Sequence, residues 1–192
     1  MRRFYIVHGY QASADDHWFP WLSKKIIESG GSYEVLNLTN SQNPHYETWK
    51  TCLENQIKNL DEQTVIIAHS LGCLITLDYL SQALKQQRLG AIFLIAPFKQ
   101  KLGSLPELNQ FILSCKVDDA LIRSHIDKRM IFLSNNDPYV PAPFSIQLGH
   151  LLNAQMHEIK NAGHFMAHEG FLEFPQLWEK IQQMLSHDSI KS

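Results

Sequence analysis

Three short stretches carry residue types that can share one proton relay: Ala68-His69-Ser70-Leu71-Gly72, Asn135-Asn136-Asp137-Pro138 and Ala162-Gly163-His164-Phe165. A serine hydroxyl is a poor nucleophile until a neighbouring base takes its proton, and an imidazole held by a carboxylate is such a base. Working together, the three would perform acyl transfer. Ser70 attacks, His164 takes the proton and later returns it, and Asp137 orients the imidazole and stabilises its charged form. Each residue alone has a plainer explanation. Serine is a favoured helix N-cap, Asp before Pro starts turns, and His after Gly is an ordinary loop residue. What separates the two readings is chain order and the elements that precede each residue.

Those elements are legible as apolar runs. Residues 4–7, 33–38, 65–68, 91–95, 130–133 and 155–159 read as strands. Thr64-Val65-Ile66-Ile67-Ala68 and Ala91-Ile92-Phe93-Leu94-Ile95 are nearly continuous in apolar residues, the pattern of strands buried on both faces of a parallel sheet. Helical segments alternate with them. Asn43-Pro44 supplies a cap and first-turn proline for a helix to about residue 60. Residues 71 to about 88 carry Leu74, Leu77 and Leu84 on one stripe, with Gly90 beyond the end. Residues 171–185 form an amphipathic closing helix, and a polar tail from about residue 187 frays. The order predicts one doubly wound, three-layer α/β domain over residues 1–192. Residues 99–128 are the least regular and leave room for a small lid-like insertion only, not a large cap domain.

Placed on this frame, Ser70 sits between a buried strand and a helix. That is the setting of a nucleophile elbow, in which the hydroxyl stands clear of the sheet on a sharp turn. Gly72 fits the G-x-S-x-G pattern, and Ala68 replaces the first glycine with one added methyl. Asp137 follows the strand at 130–133 and His164 follows the strand at 155–159, both at the edge where open α/β sheets bind ligands. Ser, then Asp, then His is the chain order of α/β-hydrolases. Asp118, Asp119 and Asp127 are weaker candidates: none directly follows a strand. An oxyanion needs two backbone donors. Leu71 N–H is the first, and the loop Val7-His8-Gly9-Tyr10-Gln11 supplies the second, from Tyr10 or, failing that, Gln11. Trp18, Phe19, Trp21 and Trp49 read as packing residues more than cleft lining. Phe98, Tyr139, Phe144 and Phe165 are candidates for the pocket wall.

Composition narrows the remaining classes. The net charge is −2 and Lys and Arg are scattered, so no basic patch for nucleic acid or anionic membrane is expected. No run approaches the ~20 apolar residues of a membrane span. Three cysteines without a close pair point to a reducing compartment, with the cytoplasm as default. His164 and His168 have ligand-like spacing, but glycines bracket them and no cysteine cluster accompanies them. No metal and no cofactor are expected.

The chain resembles the small, lid-poor serine hydrolases related to retinoblastoma-binding protein nine. The likeness rests on His8-Gly9-Tyr10, His17-Trp18-Phe19-Pro20-Trp21, the Ser70 turn, Ala96-Pro97-Phe98, Asn136-Asp137-Pro138 and Gly163-His164-Phe165. It implies a six-stranded, mostly parallel α/β-hydrolase sheet and carries Ser70, Asp137 and His164 over as the triad. It does not supply a substrate. The retinoblastoma protein is not carried over as a partner, because Leu71-Gly72-Cys73-Leu74 runs into Ile75 where an L-x-C-x-E motif has Glu, and no other protein partner is inferred. The expected activity is hydrolysis of a small carboxylic ester, an amide or thioester using the same groups, with a short acyl chain favoured by a shallow site. A binding or scaffold protein on an old hydrolase fold is the alternative.

Overall fold

Apolar runs alternate their side chains between two faces, and both faces are covered. The computed structural model describes residues 1–191, with side chains through residue 186. In chain order the elements are β1 (Arg3–Val7), α1 (Phe19–Glu28), β2 (Ser32–Val35), α2 (Tyr46–Gln56), β3 (Thr64–His69), α3 (Leu71–Ala83), β4 (Leu89–Ile95), α4 (Asn109–Ser114), α5 (Asp119–His125), β5 (Ile126–Ser134), α6 (Ala142–Leu152), β6 (Gln155–Ile159) and α7 (Pro175–Lys191). The strands form one sheet in the order β2-β1-β3-β4-β5-β6, and every pairing is parallel.

The period of two along each strand sorts residues into two cores. Phe4, Ile6, Val65, Ile67, Phe93 and Ile95 pack against α1 and α7. Tyr5, Val7, Ile66, Ala68, Ile92 and Leu94 pack against helices of the opposite face, through Trp49, Leu53, Leu74, Leu77 and Leu148. Three layers result. The direction in which strands are added reverses between β1 and β3, with β2 on one side and β4 to β6 on the other. Open α/β sheets form their ligand crevice outside the carboxyl ends of strands at such a switch point.

Several boundaries differ from the sequence reading. The second strand ends at Val35 rather than at residue 38, because β2 is an edge and Gln56 takes over. Its amide accepts from Asn37 N (2.8 Å) and donates to Asn37 O (3.0 Å). Asn43 is used in a turn, donating N–H to Asn40 O at 3.0 Å, so α2 starts later, at Tyr46, and it stops at Gln56. The helix after Ser70 is α-helical to Ala83 and finishes as a 3-10 turn. The closing helix starts at Pro175, because Phe171 and Phe174 pack with Phe165 (5.1 and 5.3 Å between ring centres) and proline favours the first helical position. The polar tail expected from about residue 187 has side chains outside the described residues.

The irregular segment is not a loose lid. It forms a 3-10 turn, α4 and α5, and buries Leu102, Leu108, Phe111, Ile112 and Ile122 in the core. It also ties two loops at the carboxyl edge of the sheet, with Ser104 Oγ donating to Tyr139 O (2.6 Å) and Tyr10 OH facing Glu107 (3.5 Å). No helix among the described residues is long and apolar enough to cross a membrane.

Candidate active site

Strand β3 ends at His69 and α3 starts at Leu71, so the whole turn falls on Ser70. Its backbone lies at φ 54, ψ −125. That region is sparsely populated for a residue with a Cβ and costs on the order of 1–3 kcal/mol to hold. Three hydrogen bonds hold it. Ser70 N donates to Ile95 O (2.9 Å), Cys73 N donates to Ser70 O (2.9 Å), and the buried Cys73 thiol donates to Ala68 O (3.1 Å). The first turn of α3 lies on the end of β1: a Cβ at Gly72 would sit 2.2 Å from His8 O. No side chain fits there. Ala68 is fully buried and fills the first glycine position of the motif without displacing the turn.

The structure brings Ser70, His164 and Asp137 into one line. His164 Nε2 lies 2.8 Å from Ser70 Oγ, and His164 Nδ1 lies 2.7 Å from Asp137 Oδ2. The His164 and Asp137 side chains are only 7% and 3% exposed, whereas Ser70 is half-buried. A carboxylate can only accept, so Nδ1 carries the proton and Nε2 presents a lone pair to the serine hydroxyl. The other Asp137 oxygen, Oδ1, accepts from Tyr139 N (2.8 Å) and Val140 N (2.9 Å). These bonds fix the carboxylate plane. The Tyr139 ring stands edge-on to the His164 ring, 5.2 Å between centres.

The other aspartates are committed elsewhere. Asp118 caps α5 through Leu121 N, Asp119 pairs with Lys99 at 2.6 Å, and Asp127 pairs with Arg88. Strand β5 begins at Ile126, four residues earlier than expected, which puts Asp127 inside the strand but at its amino end. His168 is exposed on the 3-10 turn after His164, which is itself engaged by Ser70 and Asp137, so the two do not form a ligand pair.

Leu71 opens α3, and a first-turn N–H has no acceptor inside its helix. The loop after β1 lies directly against the serine: a Cβ at Gly9 would be 3.0 Å from Ser70 Cβ. Gln11 N donates to Ser41 O at 2.9 Å, so Gln11 is already bonded and Tyr10 is left as the candidate donor. His8 anchors this loop. Its Nδ1 donates to Gly9 O (3.0 Å) and its Nε2 accepts from Leu38 N (3.2 Å). Those partners require a neutral ring, and burial lowers its pKa from 6.5.

Two further histidines went unassigned in the sequence reading. His69, fully buried, donates Nε2–H to the His164 carbonyl at 2.8 Å, and burial pushes its pKa well below the usual value. His17 accepts from Ala167 N at 3.1 Å through Nδ1. Position immediately before Ser70 was the one available signal for His69. Of the aromatic residues, Trp18, Phe19 and Trp49 are fully buried packing residues. Phe98 and Phe165 are also fully buried in the cores rather than lining a pocket, while Tyr139 and Phe144 are partly exposed. Cavities of ≈ 480 and ≈ 510 Å³ lie near the opposite edge of the sheet, around Lys128 and Gln155 and around Asn59 and Gln87, and have no part in this site.

A parallel sheet with a strained serine at its switch point, and a histidine and carboxylate from later strand ends, defines the α/β-hydrolase class. The chain belongs to the serine hydrolase family, whose model matches residues 4–183. It is 33% identical over 188 residues to YdeN of Bacillus subtilis, covering 98% of each chain. The crystal structure of that protein superposes with a TM-score of 0.92 over 97% of this chain and all of the other. The rat serine hydrolase RBBP9 is 23% identical over 171 residues, 88% of this chain and 87% of its own. Est1E of Butyrivibrio proteoclasticus, solved with ferulic acid bound, shares the fold at a TM-score of 0.72 with 12% identity, covering all of this chain and 90% of its own. The chain is a hydrolase of α/β fold.

Proposed function

We propose that this hydrolase cleaves a small carboxylic ester through an acyl-enzyme, with Ser70 as nucleophile. One observation carries the reading: the His164 ring spans Ser70 Oγ and Asp137 Oδ2 at 2.8 and 2.7 Å with its tautomer set for proton acceptance. Ser70 Oγ attacks the ester carbonyl while its proton passes to His164 Nε2. Asp137 stabilises the imidazolium. The tetrahedral oxyanion then takes hydrogen bonds from the N–H groups of Leu71 and Tyr10. Collapse expels the alkoxide, which leaves with the proton from Nε2. A water then repeats the sequence on the acyl-serine, returning the carboxylic acid and free Ser70.

A short acyl group suits this site, because residues 99–128 are packed into the core rather than raised as a cap that would bury a long chain. Three cysteines, all free, support a reducing cytoplasmic location. A fluorophosphonate probe tests the central assignment. The wild-type chain is expected to label at one site and Ser70→Ala at none. Equal labelling of Ser70→Ala would show the nucleophile to be elsewhere.

A further inference from the structure

The loop that carries His164 has a backbone that no regular element can satisfy. Asn161, Gly163 and Phe165 all adopt positive φ (56, 56 and 60). Alternating residues of this kind point successive N–H groups in different directions, and a buried N–H left unpaired costs about 1–3 kcal/mol. Side chains take most of them. Asn161 N donates to Asn135 Oδ1 (2.8 Å), Ala162 N to Ser134 Oγ (3.1 Å) and Gly163 N to Asn136 Oδ1 (2.8 Å). His164 N donates to Glu169 Oε2 at 2.7 Å, and Met166 N donates to the same oxygen at 3.0 Å.

Glu169 differs from the others in bonding His164 itself, on the N–H directly beside its Cα. A 3-10 turn over Ala167–Glu169 accounts for the bond to Met166, which is ordinary capping geometry. It does not account for the second and shorter bond, which reaches back beyond the cap. Glu169 also fits the space at Gly163, where a Cβ would meet its Oε1 at 2.0 Å. The carboxylate thus grips both ends of the strained Phe165 unit, while His69 holds the His164 carbonyl from the sheet side.

We propose that Glu169 is a positioning residue that seats His164 between Ser70 and Asp137 by accepting the N–H bonds of His164 and Met166. The proposal rests on the role given to His164 above. Its physical basis is distance: an imidazole displaced by about 1 Å loses on the order of 10²-fold in rate. Because the ring spans two partners at hydrogen-bond length, any shift of its Cα lengthens one of them.

Three variants of the full chain test this: Glu169→Ala, Glu169→Asp and Glu169→Gln, each with a thermal melt. The readouts are kcat and KM on p-nitrophenyl acetate, the rate of fluorophosphonate labelling, and the low-field proton resonance of His164 Nδ1–H. Gln keeps an oxygen able to accept both bonds, whereas Asp keeps the charge but is one methylene too short. The expected result is that Ala and Asp lower kcat by about 10²-fold with KM little changed and broaden the resonance. Gln stays close to wild type. If Ala does not fold, Asp carries the comparison. Wild-type kcat and resonance in Glu169→Asp would overturn the proposal, as would Gln and Asp being equally slow. If the wild-type chain neither labels nor turns over, the nucleophile assignment has failed instead, and the resonance alone decides whether Glu169 seats His164.

Discussion

Asp137→Asn isolates the contribution of one proton position, because the geometry dictates which way the new amide must face. Asp137 Oδ1 accepts two backbone N–H groups, from Tyr139 and Val140, and Oδ2 faces His164 Nδ1. In the variant the amide oxygen stays with the two N–H donors, since an NH₂ group there would oppose both. The NH₂ then points at His164 Nδ1, which has to become an acceptor. The proton moves to Nε2, and the ring offers Ser70 a donor where a base is needed. Restoring the active tautomer means flipping the amide and breaking two backbone bonds, at about 1–3 kcal/mol each, or roughly 2–6 kcal/mol in all. At about 1.4 kcal/mol per factor of ten, kcat should fall by roughly 30-fold to 10⁴-fold. The corresponding change in a serine protease costs about 10⁴-fold. No neighbouring amide can rescue the variant, because Asn135 and Asn136 are occupied by Asn161 N and Gly163 N. The assay is kcat on a chromogenic ester, with Asp127→Asn as control and thermal melts on both. Near-wild-type turnover by Asp137→Asn, or loss in Asp127→Asn, would refute the reasoning.

Two further outcomes are expected. His8, His17, His69 and His157 all have pKa values lowered from 6.5, chiefly by burial. A lowered folded-state pKa means the unfolded chain binds protons more readily, so stability is full above pH 6.5 and declines as pH falls below it. Melting temperatures from pH 8 to pH 5 should therefore be flat and then drop, and a rise on acidification would contradict the burial argument. Across a series of p-nitrophenyl esters from acetyl to palmitoyl, kcat/KM should be highest for short chains, and a steady increase to palmitoyl would contradict the short-acyl reading.

The frame of the site was readable from the sequence because it depends on local chemistry. Nearly continuous apolar runs such as residues 64–68 need burial on both faces, and a serine between such a run and a helix can only sit at a strand end. Asp137 and His164 followed from the same logic, each being the carboxylate or imidazole directly after a later strand. The limits of β2 and α2 were not readable, since a side chain of Gln56 and a turn at Asn40 decide them from a distance. Helices α4 and α5 hid in residues 99–128 because they are only 6 and 7 residues long. Segments that short show little periodicity and are stabilised by packing rather than by propensity.

What residue order alone determined is therefore which three side chains end at the same edge of the sheet and their order along the chain. Only the tertiary structure decided their distances, the tautomer of His164 and the side chains that hold its loop. Asn136 and His69 act on backbone atoms of residues that the sheet brings beside them, and no spacing rule marks them, whereas Glu169 reaches back three and five positions within its own loop. A hydrogen bond to a neighbouring backbone N–H depends on a φ value and a direction in space. Both are set only when the strands have paired and the loops have closed against one another.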